Sequence, residues 1–186
     1  MEKRENQRIK VTKRMLYEAL DRLLEKKSIN EISVTELCRE AGINRATFYK
    51  HYSTPNDILV EIIRAHLTRL VDIQKSSDIK SDLLQILEAS CQYIYDNASF
   101  FRLVMTNDLD SSLYVRFFSS LTNCPELSVA ISPSFDEVDR SLISTFVACG
   151  GYHLIRHWLV NRIPKSPSEI AALIYSLITS SWLEGV

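Results

Sequence analysis

Apolar residues recur at spacings of three and four along nearly the whole chain, and only four glycines and five prolines interrupt them. That periodicity belongs to amphipathic helices, so the pattern predicts an all-α fold. In VTKRMLYEALDRLLEKKSI, Met15, Leu16, Ala19, Leu20, Leu23 and Leu24 form one stripe while lysines and arginines take the other face, which predicts a first helix ending near Lys27. SVTELCREAG predicts a second helix of about two turns, with Ser33 as its cap, Glu36 reaching back in a capping box and Gly42 as a left-handed stop. Asn44 is placed to cap a short third helix through about His51. Thr54, Pro55 and Asp57 then open a longer helix whose stripe of Ile58, Leu59, Ile62, Ile63, Leu67 and Leu70 runs to about Ile73.

Beyond that point the pattern predicts helices over roughly 79–96, 98–106 and 111–122, an irregular loop TNCPELSVAISPS, a long helix over about 135–161, a break at IPKSP and a last helix over about 168–183. No internal repeat and no low-complexity segment is present. We expect two domains, residues 1–73 and 74–186, with the long fourth helix as connector.

The 186 residues, 46% hydrophobic and 24% charged, are ordinary globular composition, which excludes disorder as the dominant state. No apolar run approaches the ~20 residues of a membrane helix, and MEKRENQRIK lacks the apolar core of a signal peptide. Cys38, Cys91, Cys124 and Cys149 lie far apart without a C-x-x-C pair, as suits a reducing compartment. The expectation is a cytoplasmic protein with no membrane partner. A net charge of −1 conceals an asymmetry: residues 1–70 carry 14 Lys/Arg against 10 Asp/Glu, and the remainder carries 8 against 13. A basic front half suits a polyanionic partner, although a solvated charged face has the same composition.

The stretch AGINRATFYKHYSTP concentrates that basicity beside aromatics. A two-turn helix, a turn containing Gly42 and a short cationic helix make a helix-turn-helix, whose third helix can lie in a DNA major groove; the same pattern also fits a plain three-helix packing unit with a wet face. At 100° per residue Phe48 and Tyr52 fall together, toward a core with Leu37, Ile43 and the first helix. The opposite face holds Ala46, Thr47 and Lys50, flanked by Arg45, Tyr49 and His51. Arg45 and Lys50 can donate to guanine O6 and N7, and Ala46 is small enough to touch a thymine methyl. Thr47, Tyr49 and His51 suit phosphates, as do Ser33 and the free amides opening the second helix. The basic segment KRENQRIKVTKR could lie along the backbone or enter a minor groove.

These residues resemble the DNA-binding region of TetR-family transcriptional regulators. The likeness spans about residues 8–65: the run-in to the second helix, the turn Ala41-Gly42-Ile43-Asn44, the core Thr47-Phe48-Tyr49 followed by Tyr52, and the opening Asp57-Ile58-Leu59 of the fourth helix. The resemblance implies base contacts from Arg45, Ala46 and Lys50, phosphate contacts from Ser33, Thr47, Tyr49 and His51, and Thr35 suited to either. It also implies an all-helical C-terminal domain that dimerises and often encloses a ligand pocket. One departure stands out: the family often has a phosphate-gripping lysine where this chain has Pro55.

The C-terminal half agrees with that plan. FDEVDRSLISTFVACGGYHLIRHWLV and SEIAALIYSLITSSWL are apolar around most of their circumference, and such helices need cover on more than one side. Pairing across a two-fold axis supplies it, and a thick monomeric core is the other solution. Gly150 and Gly151, costly inside a helix, belong at an interface or beside a ligand. Cys149, His153 and His157 recur every four residues on one face, but 149 to 157 spans ~12 Å, so one ion could take only an adjacent pair; polar residues of a packed helix or a pocket fit better, and no metal or cofactor is expected. An effector pocket is expected from Tyr93, Phe101, Met105, Phe117, Cys149, Tyr152, His153 and His157, although aromatics at helical spacing also serve as simple core.

The sequence therefore reads as an all-α homodimer that binds a palindromic operator in double-stranded DNA, a ligand-responsive repressor with an unidentified small-molecule effector. The alternative is a helical adaptor or ligand-binding protein that keeps the fold without operator binding, with Pro55 in its favour. The chain carries no glycine-rich phosphate loop, H-E-x-x-H or nucleophile motif, so no enzyme is expected.

Overall fold

The computed structural model describes residues 2–75, 82–106 and 135–182. The predicted helix over 111–122, the loop after it, Phe117 and Cys124 lie outside these residues. The described residues form eight α-helices and one 3₁₀ turn, and among them there is no strand: α1 Glu2–Leu24, α2 Val34–Ala41, α3 Arg45–Tyr49, α4 Pro55–Lys75, α5 Leu83–Asp96, α6 Ala98–Thr106, α7 Glu137–Val160 and α8 Pro167–Trp182. They divide into two compact units that meet at His66 and Leu67, inside the span of α4.

The first unit is built on the stripe that the sequence predicts. Leu16, Ala19 and Leu20 of α1 are fully buried, and Leu37, Phe48, Ile58 and Leu59 from the next three helices join them. Two ion pairs tie α1 and its following turn to α2: Arg22 to Glu40 at 2.6 Å and Lys27 to Glu36 at 2.5 Å. The second pair modifies the expected capping box. Ser33 Oγ accepts the Glu36 amide at 3.2 Å as predicted, but the Glu36 carboxylate turns to Lys27 instead of reaching back to the cap. A full charge within reach outcompetes a backbone amide for a carboxylate. The reach-back does occur at α4, where Asp57 Oδ2 accepts the amides of Ser53 and Thr54 at 2.8 and 2.9 Å. Those two bonds hold the Asp57 carboxyl below its ordinary value.

The stop after α2 is a Schellman closure, with the Ile43 amide on the Cys38 carbonyl at 3.0 Å and the Gly42 amide on the Arg39 carbonyl at 3.3 Å. It requires Gly42 at φ 67°, a left-handed conformation that a side chain penalises. The basic segment 3–14, expected as an arm, is the first half of α1. A helix about 10–12 Å across does not fit a minor groove about 6 Å wide, so this segment suits the backbone and not groove entry.

In the second unit α8 packs on α5 and α7, and α6 on α5 and α7, around Ile86, Cys91, Ile94, Phe101, Ile155, Trp158, Ala171 and Ile174. Asp136 caps α7 by accepting the Asp139 amide at 2.8 Å. Ser166 and Glu169 form a reciprocal capping box at α8, the Ser166 amide on Glu169 at 2.8 Å and the Glu169 amide on Ser166 Oγ at 3.3 Å. Among the described residues no helix is long and apolar enough to cross a membrane.

The Gly42 conformation carries a direct expectation. Gly42→Ala should lower the unfolding free energy by about 1–2 kcal/mol in urea titration, the cost of a left-handed alanine, since among the described residues its Cβ would meet nothing nearer than Met15 Cε at 4.0 Å.

Candidate nucleic-acid interface

With only five residues, α3 gains almost nothing from its own hydrogen bonds and is held by what surrounds it. Asn44 Oδ1 accepts the Thr47 amide at 2.7 Å, which defines the start of α3 as predicted. The end comes earlier than His51: Lys50 closes the helix, and His51 and Tyr52 follow in a turn, both amides on the Phe48 carbonyl at 2.9 and 3.0 Å. Phe48 is fully buried and Tyr52 nearly so, their ring centroids 6.1 Å apart.

The other side of the segment is open. Arg45, Ala46, Tyr49 and Lys50 are exposed, and Thr47 and His51 are half-buried. Ser33 and Thr35 at the start of α2 are exposed as well. These eight residues from two neighbouring helices present donors and a small apolar side chain to solvent. Arg45 lies over the Tyr49 ring, 5.8 Å from its centroid, with a long 3.5 Å contact from Nη2 to the hydroxyl. Pro55 occupies the first position of α4 and is buried, so it offers no donor there.

A polar network behind the face had no signal in the sequence. Lys13 on α1 donates to Glu61 on α4 at 2.6 Å, the Tyr52 hydroxyl donates to the other oxygen of Glu61 at 2.8 Å, and the Tyr17 hydroxyl sits 3.4 Å from that of Tyr52. Lys13 also lies over the Tyr52 ring, 5.4 Å from its centroid. Burial, then the Tyr17 and Glu61 bonds, push the Tyr52 hydroxyl far above the ordinary tyrosine value, so it remains a proton donor. At Glu61 burial raises the carboxyl, yet Lys13 and the two tyrosines outweigh it and the net shift is downward. The residues are 48 and 9 positions apart in the chain, beyond the reach of any local spacing rule.

The effector residues expected in the second unit separate. Tyr93, Phe101 and Met105 sit together in or against the core, with the Tyr93 and Phe101 centroids 6.4 Å apart, and Tyr152 packs on the same cluster. Cys149, His153 and His157 are exposed, because α7 commits Ala148, Ile155, Trp158 and Leu159 to the interior and the four-residue series falls on another side. His157 bonds to Asn161, Nδ1 to Nδ2 at 2.9 Å. Among the described residues no three His, Cys, Asp or Glu side chains gather as a metal site.

Glu61 sets a pH-dependent expectation. Its carboxyl lies below the ordinary value of 4.5 in the folded chain, so its stabilisation is present above that value and is lost as pH falls through the folded value. Glu61→Gln should therefore cost up to about 1 kcal/mol at neutral pH for this partly exposed pair. In chemical denaturation the difference from the unsubstituted protein should disappear in acid.

Comparison with known proteins follows the same division of the chain. Residues 16–62 match the model of bacterial regulatory proteins of the tetR family, and residues 81–180 match a transcriptional regulator C-terminal region of TetR type. The HTH-type transcriptional regulator YxbF of Bacillus subtilis (strain 168) is 23% identical over 177 residues, 90% of this chain and 46% of that protein. The chain thus spans about half the length of that relative. Among solved structures, a TetR transcriptional regulator from Streptococcus agalactiae 2603V superposes with a TM-score of 0.76 at 19% identity, over 96% of this chain and 99% of that one. The dihydroxyacetone kinase operon activator DhaS superposes with a TM-score of 0.69 at 17% identity, over 92% and 96%. A TetR-family regulator from Syntrophomonas wolfei gives 0.71 at 12% identity, over 96% and 100%. With both its helix-turn-helix region and its C-terminal region matched, the chain belongs to the TetR family of transcriptional regulators.

Proposed function

We propose that this protein is a cytoplasmic homodimer that binds a palindromic DNA operator through residues 1–73 and represses transcription until a small molecule occupies residues 74–186. The observation that carries the DNA-binding part is the division of the α3 segment, with Phe48 and Tyr52 inside and Arg45, Ala46, Tyr49 and Lys50 outside. In this reading Arg45, Ala46 and Lys50 touch base edges, Ser33, Thr47, Tyr49 and His51 hold phosphates, and Thr35 serves either. The free amides at the start of α2 add to the phosphate grip.

The dimer reading rests on α7 and α8. Val138, Leu142 and Phe146 recur every four residues on α7 and are each about two-thirds exposed, and Leu173 and Leu177 are exposed on α8. Gly150 continues the α7 series, and a Cβ added at Gly150 or Gly151 would meet no atom of the described residues within 4 Å. Among the described residues nothing requires these glycines, which cost about 1 kcal/mol each in a helix interior. A second copy's helix approaching closely supplies the reason, and the same patch on both copies makes the contact isologous. Two reading helices about one DNA turn apart then match two half-sites.

For the effector we assign the cluster of Tyr93, Phe101, Met105 and Tyr152. Release requires the effector to prefer the non-binding state, because equal affinity for both would shift nothing. Repression is the sign we assign; DhaS is an operon activator, and a promoter reporter with and without the protein distinguishes the two signs. A second reading, a helical adaptor that does not bind an operator, has Pro55 at the head of α4 in its favour.

Selection of bound duplexes from a random library at low and moderate salt tests the central claim. A palindromic site supports it, and no recovered site at either salt rejects it in favour of the adaptor. On the recovered site, Arg45→Ala and Lys50→Ala should each cost about 1–3 kcal/mol of discrimination at particular base pairs, whereas Tyr49→Phe should weaken all sequences alike. Phe146→Asp should halve the mass seen by light scattering and abolish tight operator binding; an unchanged mass would contradict the interface.

A further inference from the structure

We propose that the second unit carries a binding cleft for a small organic oxyanion, a carboxylate or a phosphate ester, at the turn joining α7 to α8. A cleft of about 560 Å³ opens there, and its lining includes Arg102 of α6, Arg162 and Lys165 of the turn, and Tyr95 of α5. Among the described residues three cationic side chains line it and no carboxylate does. The wall is built rather than incidental: Trp158 is buried, its indole Nε1 donates to the Lys165 carbonyl at 3.0 Å, and the Tyr95 ring stacks on it at 5.5 Å with an interplanar angle of 19°. This leaves the half-exposed Tyr95 face as a flat apolar surface beside the cations.

Two features of the arginines point to an anion. The Nε of Arg102 is buried and has no hydrogen-bond acceptor among the described residues. A guanidinium whose buried N–H lacks an acceptor carries a charge that the described residues leave incompletely compensated, and a carboxylate or phosphate in the cleft beside it would offset that charge. Arg162 is the one non-glycine residue with a positive φ among the described residues, at 51°. It ends α7 by the same closure that Gly42 gives α2, with the Ile163 amide on the Trp158 carbonyl at 3.0 Å and the Arg162 amide on the Leu159 carbonyl at 3.4 Å. One chain thus solves the same backbone problem once with glycine and once with an arginine whose side chain lines a cationic cleft. Strain retained where glycine would relieve it suggests a role for the side chain.

Lys165 and Ser166 are partly committed already. Glu169 accepts from the Lys165 ammonium at 3.2 Å and from the Ser166 amide and hydroxyl, first the amide and then the hydroxyl and lysine holding its carboxyl down to about 2. The uncommitted charge is therefore that of Arg102 and Arg162, which would grip the oxyanion while the organic body lies against Tyr95. The cleft shares no lining residue with the cluster of Tyr93, Phe101, Met105 and Tyr152, and its occupancy requires neither DNA nor the operator-binding reading.

The test is titration of the full chain with inorganic phosphate, phenyl phosphate and benzoate, by calorimetry and tryptophan fluorescence, alongside R102Q and R162G. Saturable binding of phenyl phosphate or benzoate with Kd below about 1 mM is expected, at least ~10-fold weaker in each variant. The tighter of the two probes identifies phosphate or carboxylate as the preferred group. R162G removes the left-handed strain with the guanidinium, so its melting temperature should equal or exceed that of the unsubstituted chain while binding falls, which separates lost contact from lost fold. No saturable binding of any probe, undiminished affinity in either variant, or a lowered melting temperature for R162G would overturn the inference.

Discussion

The burial of Phe48 is the constraint on which the reading head depends. A helix of five residues cannot specify its own orientation, and this one is aimed by an aromatic side chain inserted fully into the core that α1, α2 and α4 provide. With Phe48 inside and Tyr52 following it, helical geometry turns Arg45, Ala46, Tyr49 and Lys50 outward. The hydrophobic effect thus sets the direction of the polar face: the inner residues choose where the outer ones point. The Asn44 cap fixes the start of the helix and the His51 and Tyr52 amides on the Phe48 carbonyl close its end, so that neither end is free to slide along the core.

Charge supports this arrangement in a different way. Glu61 collects the Lys13 ammonium and the Tyr52 hydroxyl, linking α1, α4 and the end of the α3 segment at one point. Individually such partly exposed contacts contribute little. Their value is directional, because Tyr52 is held by ring packing on one side and by its hydroxyl on the other. Arg22 to Glu40 and Lys27 to Glu36 do the same for α2 against α1. Lys13, Arg14, Arg22 and Lys27 are matched by carboxylates within the first unit, whereas Arg45 and Lys50 stand exposed on the α3 segment.

The second unit follows another logic. α7 and α8 bury one side against α5 and α6 and leave Val138, Leu142, Phe146, Leu173 and Leu177 exposed as an apolar strip. The same α7 ends at a strained Arg162 beside the Trp158 and Tyr95 stack. One helix therefore carries an exposed apolar strip along its length and a cationic cleft at its end.

Local pattern was enough for the described helices and for the faces of α3. Periodicity marks which residues can share a side, Asn44 and Gly42 mark where helices begin and stop, and both signals act within a few residues. The same reasoning placed Arg45, Ala46, Thr47, Tyr49 and Lys50 opposite Phe48 and Tyr52. It erred or fell silent wherever the decision lay between distant segments. Glu36 was expected to reach back to Ser33 and pairs with Lys27 instead, because only the folded chain brings the ammonium near. Cys149, His153 and His157 share a face in any helix, but which face α7 turns inward was decided by packing against α5, α6 and α8. The Glu61 network, the Arg102 Nε without an acceptor among the described residues and the left-handed Arg162 likewise have no local signature. Spacing along a helix is a property of the chain, whereas partners, exposure and strain arise only when separate helices are brought together.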